Sequence, residues 1–170
     1  MLKTFYPDQT SVSAYDIPYE ELYERGIRAL IFDIDHTLTE HGKPATERAI
    51  AWMERLKNIG FRVCLLSNNK EERVKMFNEK IHVDYIYKAG KPGRGGYERA
   101  MEKMGSTKET TVFVGDQLFT DVWGAKRTSI ESWLVETIDP HEEIQIVLKR
   151  YLEKPILYFY RKEKQKNETR

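Results

Sequence analysis

The chain has one cysteine, Cys64, in 170 residues, which excludes an internal disulfide and points to a reducing, cytoplasmic setting. Cys64 lies inside the run Phe61-Arg62-Val63-Cys64-Leu65-Leu66 and reads as a small buried hydrophobe rather than a catalytic thiol. Long apolar runs are also absent. None approaches the roughly 18 residues of a spanning helix, and the N-terminus lacks the apolar centre of a signal peptide, so a soluble or peripheral protein is expected. Net charge is scarce as well: 28 Lys/Arg against 27 Asp/Glu leave a formal +1, which argues against a nucleic-acid-coating role. The near-balance hides an asymmetry. Residues 149–170 hold eight Lys/Arg against three Asp/Glu, a local +5, while the first 148 hold 20 against 24, a net −4. An acidic body with a basic tail suggests a surface-seeking C-terminus.

The length suits one well-buried domain. Apolar runs at Ala29–Phe32, Phe61–Leu66, Tyr85–Tyr87, Thr111–Val114 and Ser132–Val135 read as strands. Between them lie amphipathic stretches. Thr46 can cap a helix running to Ile59 with Ala49, Ile50, Met53 and Leu56 as its apolar stripe, and Gly60 can end it. Further helices are expected over Lys70–Lys80, from about Gly96 to Met104, and around Asp121–Arg127, with a terminal helix begun by Pro140. Strands alternating with helices imply an α/β, Rossmann-like three-layer sandwich around a parallel sheet of about five strands. Residues 1–26, rich in aromatics, read as a segment covering that sheet, with Pro18 and Gly26 bounding a short helix. Trp52, Trp123 and Trp133 read as core, and the last ten residues as disordered.

The polar signals sit at strand ends. Asp33-Ile34-Asp35-His36-Thr37-Leu38 follows the first strand, Ser67-Asn68-Asn69 the second, Lys91-Pro92-Gly93 the third, and Gly115-Asp116-Gln117, with Asp121 beyond, the fourth. In a parallel sheet those ends share one edge, so the four segments converge in one crevice. Two acids spaced like Asp33 and Asp35 could be a solvated turn. With two more carboxylates, a lysine, and hydroxyl and amide donors beside them, they match a Mg²⁺ ion plus a phosphoryl group, where positioning and charge neutralisation supply most of the catalysis.

Those segments resemble the motifs of the haloacid-dehalogenase (HAD) superfamily of phosphotransferases: Asp-x-Asp-x-Thr, a strand-end Ser, a Lys, and Gly-Asp-x-x-x-x-Asp. The phrases Phe-Asp-Ile-Asp-His-Thr-Leu, Leu-Ser-Asn-Asn, Tyr-Lys-Ala-Gly-Lys-Pro and Val-Gly-Asp-Gln-Leu-Phe-Thr-Asp-Val are similar to its capless subclass IIIA, which includes the bacterial and mitochondrial phosphatidylglycerophosphate phosphatases. The similarity spans about Pro7 to Val135. It departs at His36, where Asn is usual, and at Thr128-Ser129, where a small turn is usual. The resemblance implies that Asp33 is the nucleophile, Asp35 the general acid and base, and Lys91 the group offsetting transition-state charge. It implies that Asp33, the Asp35 carbonyl and Asp116 bind Mg²⁺, that Ser67 and Lys91 hold phosphoryl oxygens, and that Thr37 and Asn68 orient the loop and the phosphoryl group. Asp121 is read either as holding Lys91 or a metal-bound water, or as a helix N-terminal charge.

Thr39 and Thr46 are only seven positions apart, and Ile81–Lys91 is likewise too short for an insertion, so no cap domain is expected and the crevice should be open. An open crevice suits a large or surface-presented phosphate ester, such as a phospholipid head group, better than a small metabolite. Arg94 could meet a second substrate phosphate or be a surface arginine. The patch Pro155–Tyr160, beside Lys154, Arg161, Lys162, Lys164 and Lys166, could touch the inner face of a membrane through residues 154–166, or its aromatics could pack on the domain. His36, His41, His82 and His141 show no ligand spacing. No partner nucleic acid and no particular oligomer is indicated. Alternatives to the lipid phosphatase are a phosphatase of a soluble phosphomonoester, a phospho-accepting signalling receiver and a catalytically idle scaffold. Receivers, however, carry adjacent acids after the first strand.

Overall fold

A computed structural model describes residues 2–138 and 144–168. Six strands form one sheet: β1 (Gln9–Ser11), β2 (Ala29–Phe32), β3 (Arg62–Leu66), β4 (Asp84–Ile86), β5 (Thr111–Gly115) and β6 (Glu131–Val135). Their order is β1-β6-β5-β2-β3-β4, and every pairing is parallel. Helices α1 (Tyr19–Glu24), α2 (Glu47–Ile59) and α3 (Glu71–Asn78) lie on one face, and α4 (Arg94–Met104) and α5 (Trp123–Arg127) on the other. The twofold alternation of a strand makes both faces apolar. Leu30, Phe32, Val63, Leu65, Val112 and Val114 meet Leu56 of α2 and Val74 and Phe77 of α3. Ala29, Ile31, Cys64, Leu66 and Phe113 meet Tyr97, Ala100 and Met104 of α4 and Ala125 of α5. Each fully buried large side chain of these layers contributes about 1.5–3 kcal/mol of transfer free energy.

Local chemistry sets the element ends. The Thr46 hydroxyl accepts a hydrogen bond from the Ala49 N–H at 3.1 Å, and Gly60, at φ 118°, closes α2 in the left-handed region. Helix α4 starts at Arg94, two residues before the expected Gly96, and α5 at Trp123, after a π-helical turn over Leu118–Val122. Trp52 and Trp133 are buried, whereas Trp123 is half-buried against Phe5.

The sheet has one strand more than the five expected. Strand β1 lies in the N-terminal segment and joins the β6 edge, with Gln9 opposite Trp133. Tyr15 and Tyr19 of the same segment pack on Trp52 at 4.7 and 5.7 Å.

The C-terminal end also differs from expectation. Helix α6 runs from Ile144 to Glu168 through Pro155, so the disorder expected of the last ten residues is corrected over 161–168. Its inward side chains fasten it. Ile156 is buried, the Glu153 carboxylate accepts from the Leu118 N–H at 2.9 Å, the Tyr160 ring meets that of Tyr6 edge to face at 5.3 Å, and Glu163 pairs with Lys3. The helix start expected at Pro140 lies outside the described residues, as does His141. Among the described residues no helix is long and apolar enough to cross a membrane.

Candidate active site

The C-terminal ends of β2, β3 and β5 and the loop after β4 open into a cleft of about 480 Å³. Asp33, Asp35, Ser67, Asn68 and Lys91 line it, with His36, His41, Gln117, Thr120 and Lys149. Thr37, Asp116 and Asp121 are buried beside them. No domain is inserted between the described strands, so the cleft has no cap.

Lys91 holds the centre. Its Nζ donates to Asp33 Oδ1 at 2.6 Å and to Asp121 Oδ1 at 2.7 Å, and all three groups are buried. Burial opposes the lysine's charge, but the two carboxylates outweigh it and hold Lys91 well above its usual range. The ammonium is fixed. Asn68 is why the loop sits there: its Oδ1 accepts the Lys91 N–H at 2.7 Å and its Nδ2 donates to the Lys91 carbonyl at 3.0 Å.

Asp121 organises the next turn. Besides its bond to Lys91, it accepts through Oδ2 from the Asp116 N–H at 3.2 Å and the Gln117 N–H at 3.1 Å. Of the readings offered for Asp121, the contact with Lys91 is the one its Oδ1 makes, while its Oδ2 is taken up by N–H groups of the turn that precedes the π-helical segment. Gly115 permits this approach, because a Cβ there would stand 2.5 Å from Asp121 Oδ2.

Oxygens of Asp33, Asp116 and Asp121 lie within 4.8 Å of one another. Burial, with the neighbouring charges of Asp121 and Asp116, pushes Asp33 up against the pull of Lys91. Burial and Asp121 push Asp116 up against Arg150. Three hard carboxylates gathered in one buried place, two of them pushed up chiefly by burial and further by their neighbours' charge, fit a divalent metal ion. Since Asp121 is committed to Lys91 and to backbone N–H groups, Asp33 and Asp116 are the carboxylates suited to hold it. Thr37 donates to Asp116 Oδ1 at 3.0 Å and so orients that ligand. Ser67 Oγ accepts from the Asn69 N–H at 3.1 Å, which leaves its proton to be donated.

Asp35 has its own surroundings. Arg73, on the first turns of α3, donates to Asp35 Oδ1 through Nη2 at 2.8 Å and Nε at 3.1 Å, and the Gly42 N–H adds a third bond at 2.9 Å. Burial raises this carboxyl, but the Arg73 and Gly42 bonds and the charges of Arg73 and His41 outweigh it, so Asp35 sits below the usual carboxylate range. His36 adopts φ 66° and stacks on His41 at 5.6 Å. Asn and His both tolerate that left-handed conformation, so the substitution leaves the loop shape intact.

Arg94 is not among the cleft-lining residues. It is exposed and pairs with Glu98 one helical turn on, at 3.1 Å, so a contact with substrate finds no support in its placement. Three site residues had escaped the sequence reading. Arg73 grips Asp35; Arg150 of α6 donates to Asp116 Oδ2 at 2.6 Å; Lys149 of α6 lines the cleft. Their signals were faint: Arg73 follows a strand-tip loop closely, and Arg150 falls on the inward side of an amphipathic helix where an apolar residue is the norm.

A family model described as HAD-hydrolase-like matches residues 88–143. The chain is 40% identical over 159 residues, 92% of both chains, to a Bacillus subtilis (strain 168) protein named "Probable phosphatase YqeG". It is 27% identical over 171 residues to "Phosphatidylglycerophosphate phosphatase 1, chloroplastic/mitochondrial" of Arabidopsis thaliana, covering 84% of this chain and 48% of that one. In fold it is similar to NagD from Escherichia coli K-12, with a TM-score of 0.55 at 14% identity over 71% of this chain and 91% of the other. With its aspartates, lysine and strand-end hydroxyl gathered at one edge of a parallel sheet, and a relative so similar along nearly its whole length, the chain belongs to the HAD-like hydrolases, as a phosphatase without a cap.

Proposed function

We propose that this phosphatase hydrolyses phosphatidylglycerophosphate through a covalent aspartyl phosphate on Asp33, with Mg²⁺ as its metal. The observation that carries the mechanism is the buried Lys91 ammonium joining Asp33 to Asp121 at the edge where Asp116 also lies. An Asp33 oxygen attacks phosphorus as the ester oxygen leaves. Asp35 gives that oxygen a proton, then takes one from the water that hydrolyses the acyl phosphate, which restores Asp33 and releases phosphate. Lys91 and Ser67 hold phosphoryl oxygens and offset the charge that builds on them. Asp33, Asp116 and the Asp35 carbonyl would hold the metal, which supplies the charge that lets an anionic nucleophile meet an anionic ester.

Two facts support the lipid substrate. The Arabidopsis relative carries that activity in its name, and the uncapped cleft leaves room for a head group presented by a surface. The test is Mg²⁺-dependent phosphate release from phosphatidylglycerophosphate in vesicles beside a panel of soluble phosphomonoesters. A higher kcat/KM on the vesicle substrate is expected; a clear preference for a soluble ester would replace the substrate and leave the mechanism standing. Asp33→Asn should abolish both turnover and acid-trapped phosphoenzyme, and normal hydrolysis by that variant would end the mechanism.

A further inference from the structure

Six of the eleven exposed large apolar side chains among the described residues belong to α6: Val147, Leu148, Tyr151, Leu152, Tyr158 and Phe159. Their spacing of three, four and seven puts them on one face of the helix. Leu148, Tyr151, Leu152 and Tyr158 are each more than 60% exposed. The opposite face is the one that docks, through Arg150, Glu153 and Ile156. The helix therefore uses one side to hold the body and leaves a second, aromatic-rich stripe without a protein partner among the described residues. Such a stripe on a monomer marks an interaction surface.

Charge says what it meets. Over Ile144–Glu168 there are seven Lys/Arg against three Asp/Glu, a net +4. Lys162 and Lys166 continue the stripe at the same helical spacing, and Lys154, with its Nζ 4.4 Å from the Tyr151 ring centre, flanks it. A second copy of the chain would set one +4 helix against another, since a twofold contact pairs a surface with itself. An anionic lipid surface complements both the cations and the aromatic side chains, which favour the membrane interface. The stripe also begins beside the catalytic cleft, because Leu148 precedes Lys149, which lines it.

We infer that the outward face of α6 is a docking surface for an anionic lipid bilayer, and that it brings the mouth of the cleft to the head groups. This deepens the lipid reading of the site by naming how its substrate is presented. The test reads vesicle binding rather than turnover, so the two readings fail separately.

The full chain is sedimented with vesicles of phosphatidylglycerol and phosphatidylcholine, and with phosphatidylcholine alone. Binding to the anionic vesicles is expected, weakened by salt. A variant carrying Tyr151→Ser, Leu152→Ser, Tyr158→Ser and Phe159→Ser should bind about tenfold or more weakly while keeping its circular dichroism spectrum. Should that variant misfold, Lys162→Glu with Lys166→Glu carries the same prediction on the charge side. No binding of the natural chain to anionic vesicles, unchanged binding by folded variants of both kinds, or a dimer in light scattering that the serine variant converts to monomer would each overturn the proposal.

Discussion

Asp35 carries the sharpest tension at the scale of single residues. A general acid working near neutrality needs a raised pKa, yet the Arg73 fork, the Gly42 N–H and His41 pull this carboxyl below its ordinary range. In the proposed chemistry phosphoryl transfer requires Asp35 protonated, so kcat/KM falls as pH rises past its pKa. Arg73→Leu removes the largest downward pull, raises that pKa, and should move the basic limb of the profile to higher pH. The shift should be plain with an alkyl phosphomonoester and small with an aryl phosphate, whose leaving group needs little protonation. Arg73→Lys keeps a charge without the fork and should fall between the two. Profiles that superimpose across all three proteins would assign the acid to another group. Arg73 also shows why part of the site was illegible. Asp33, Asp35, Ser67, Lys91 and Asp116 announce themselves because strand ends in a parallel sheet must converge. Arg73 and Arg150 reach the same cleft from helices, where only faint local signals set them apart from surface arginines.

At the scale of elements, periodicity exposed the strands that are buried on both faces and the helices that carry an apolar stripe. It missed β1 because Gln9-Thr10-Ser11 has no apolar residue to count. That strand exists through long-range polar bonds: Asp8 Oδ2 accepts from the Ser132 N–H at 2.8 Å and from its hydroxyl at 2.9 Å, fixing the register on β6. The extent of α6 was obscured by Pro155, which lacks the N–H for an interior helical bond. Contacts on either side carry the helix across it. Glu153 is the chief of these, only 2% exposed and bonded to the Leu118 N–H. Glu153→Leu would leave that buried donor unpaired, at a cost of about 1–3 kcal/mol. Hydrogen exchange should then accelerate across 144–168 while the strands β2, β3 and β5 stay protected. Glu153→Gln retains an acceptor for Leu118 and should change exchange much less. Equal exchange in the two variants would mean that apolar packing alone holds the helix.

On the scale of the whole molecule, the site stores a like-charge conflict that the fold must tolerate. Asp33, Asp116 and Asp121 are buried together, and burial pushes the first two toward their protonated forms. A divalent cation relieves that conflict in the folded chain and finds no such cluster in the unfolded one, so binding is coupled to stability. At a Mg²⁺ concentration of 100 times Kd the gain is about 2.7 kcal/mol. For a chain of this length each kcal/mol is worth roughly 2–4 °C, so Tm should rise by about 5–10 °C on saturation and return on addition of EDTA. Asp116→Asn removes a carboxylate suited to hold the ion and should flatten the response. It also removes the charge that faces Arg150 at 2.6 Å, so its Tm without metal need not match that of the natural chain. The diagnostic quantity is therefore the slope of Tm against the logarithm of Mg²⁺ concentration, read by calorimetry. A slope of zero in the natural chain would remove the metal from this site, and an undiminished slope in Asp116→Asn would place the ion among other ligands.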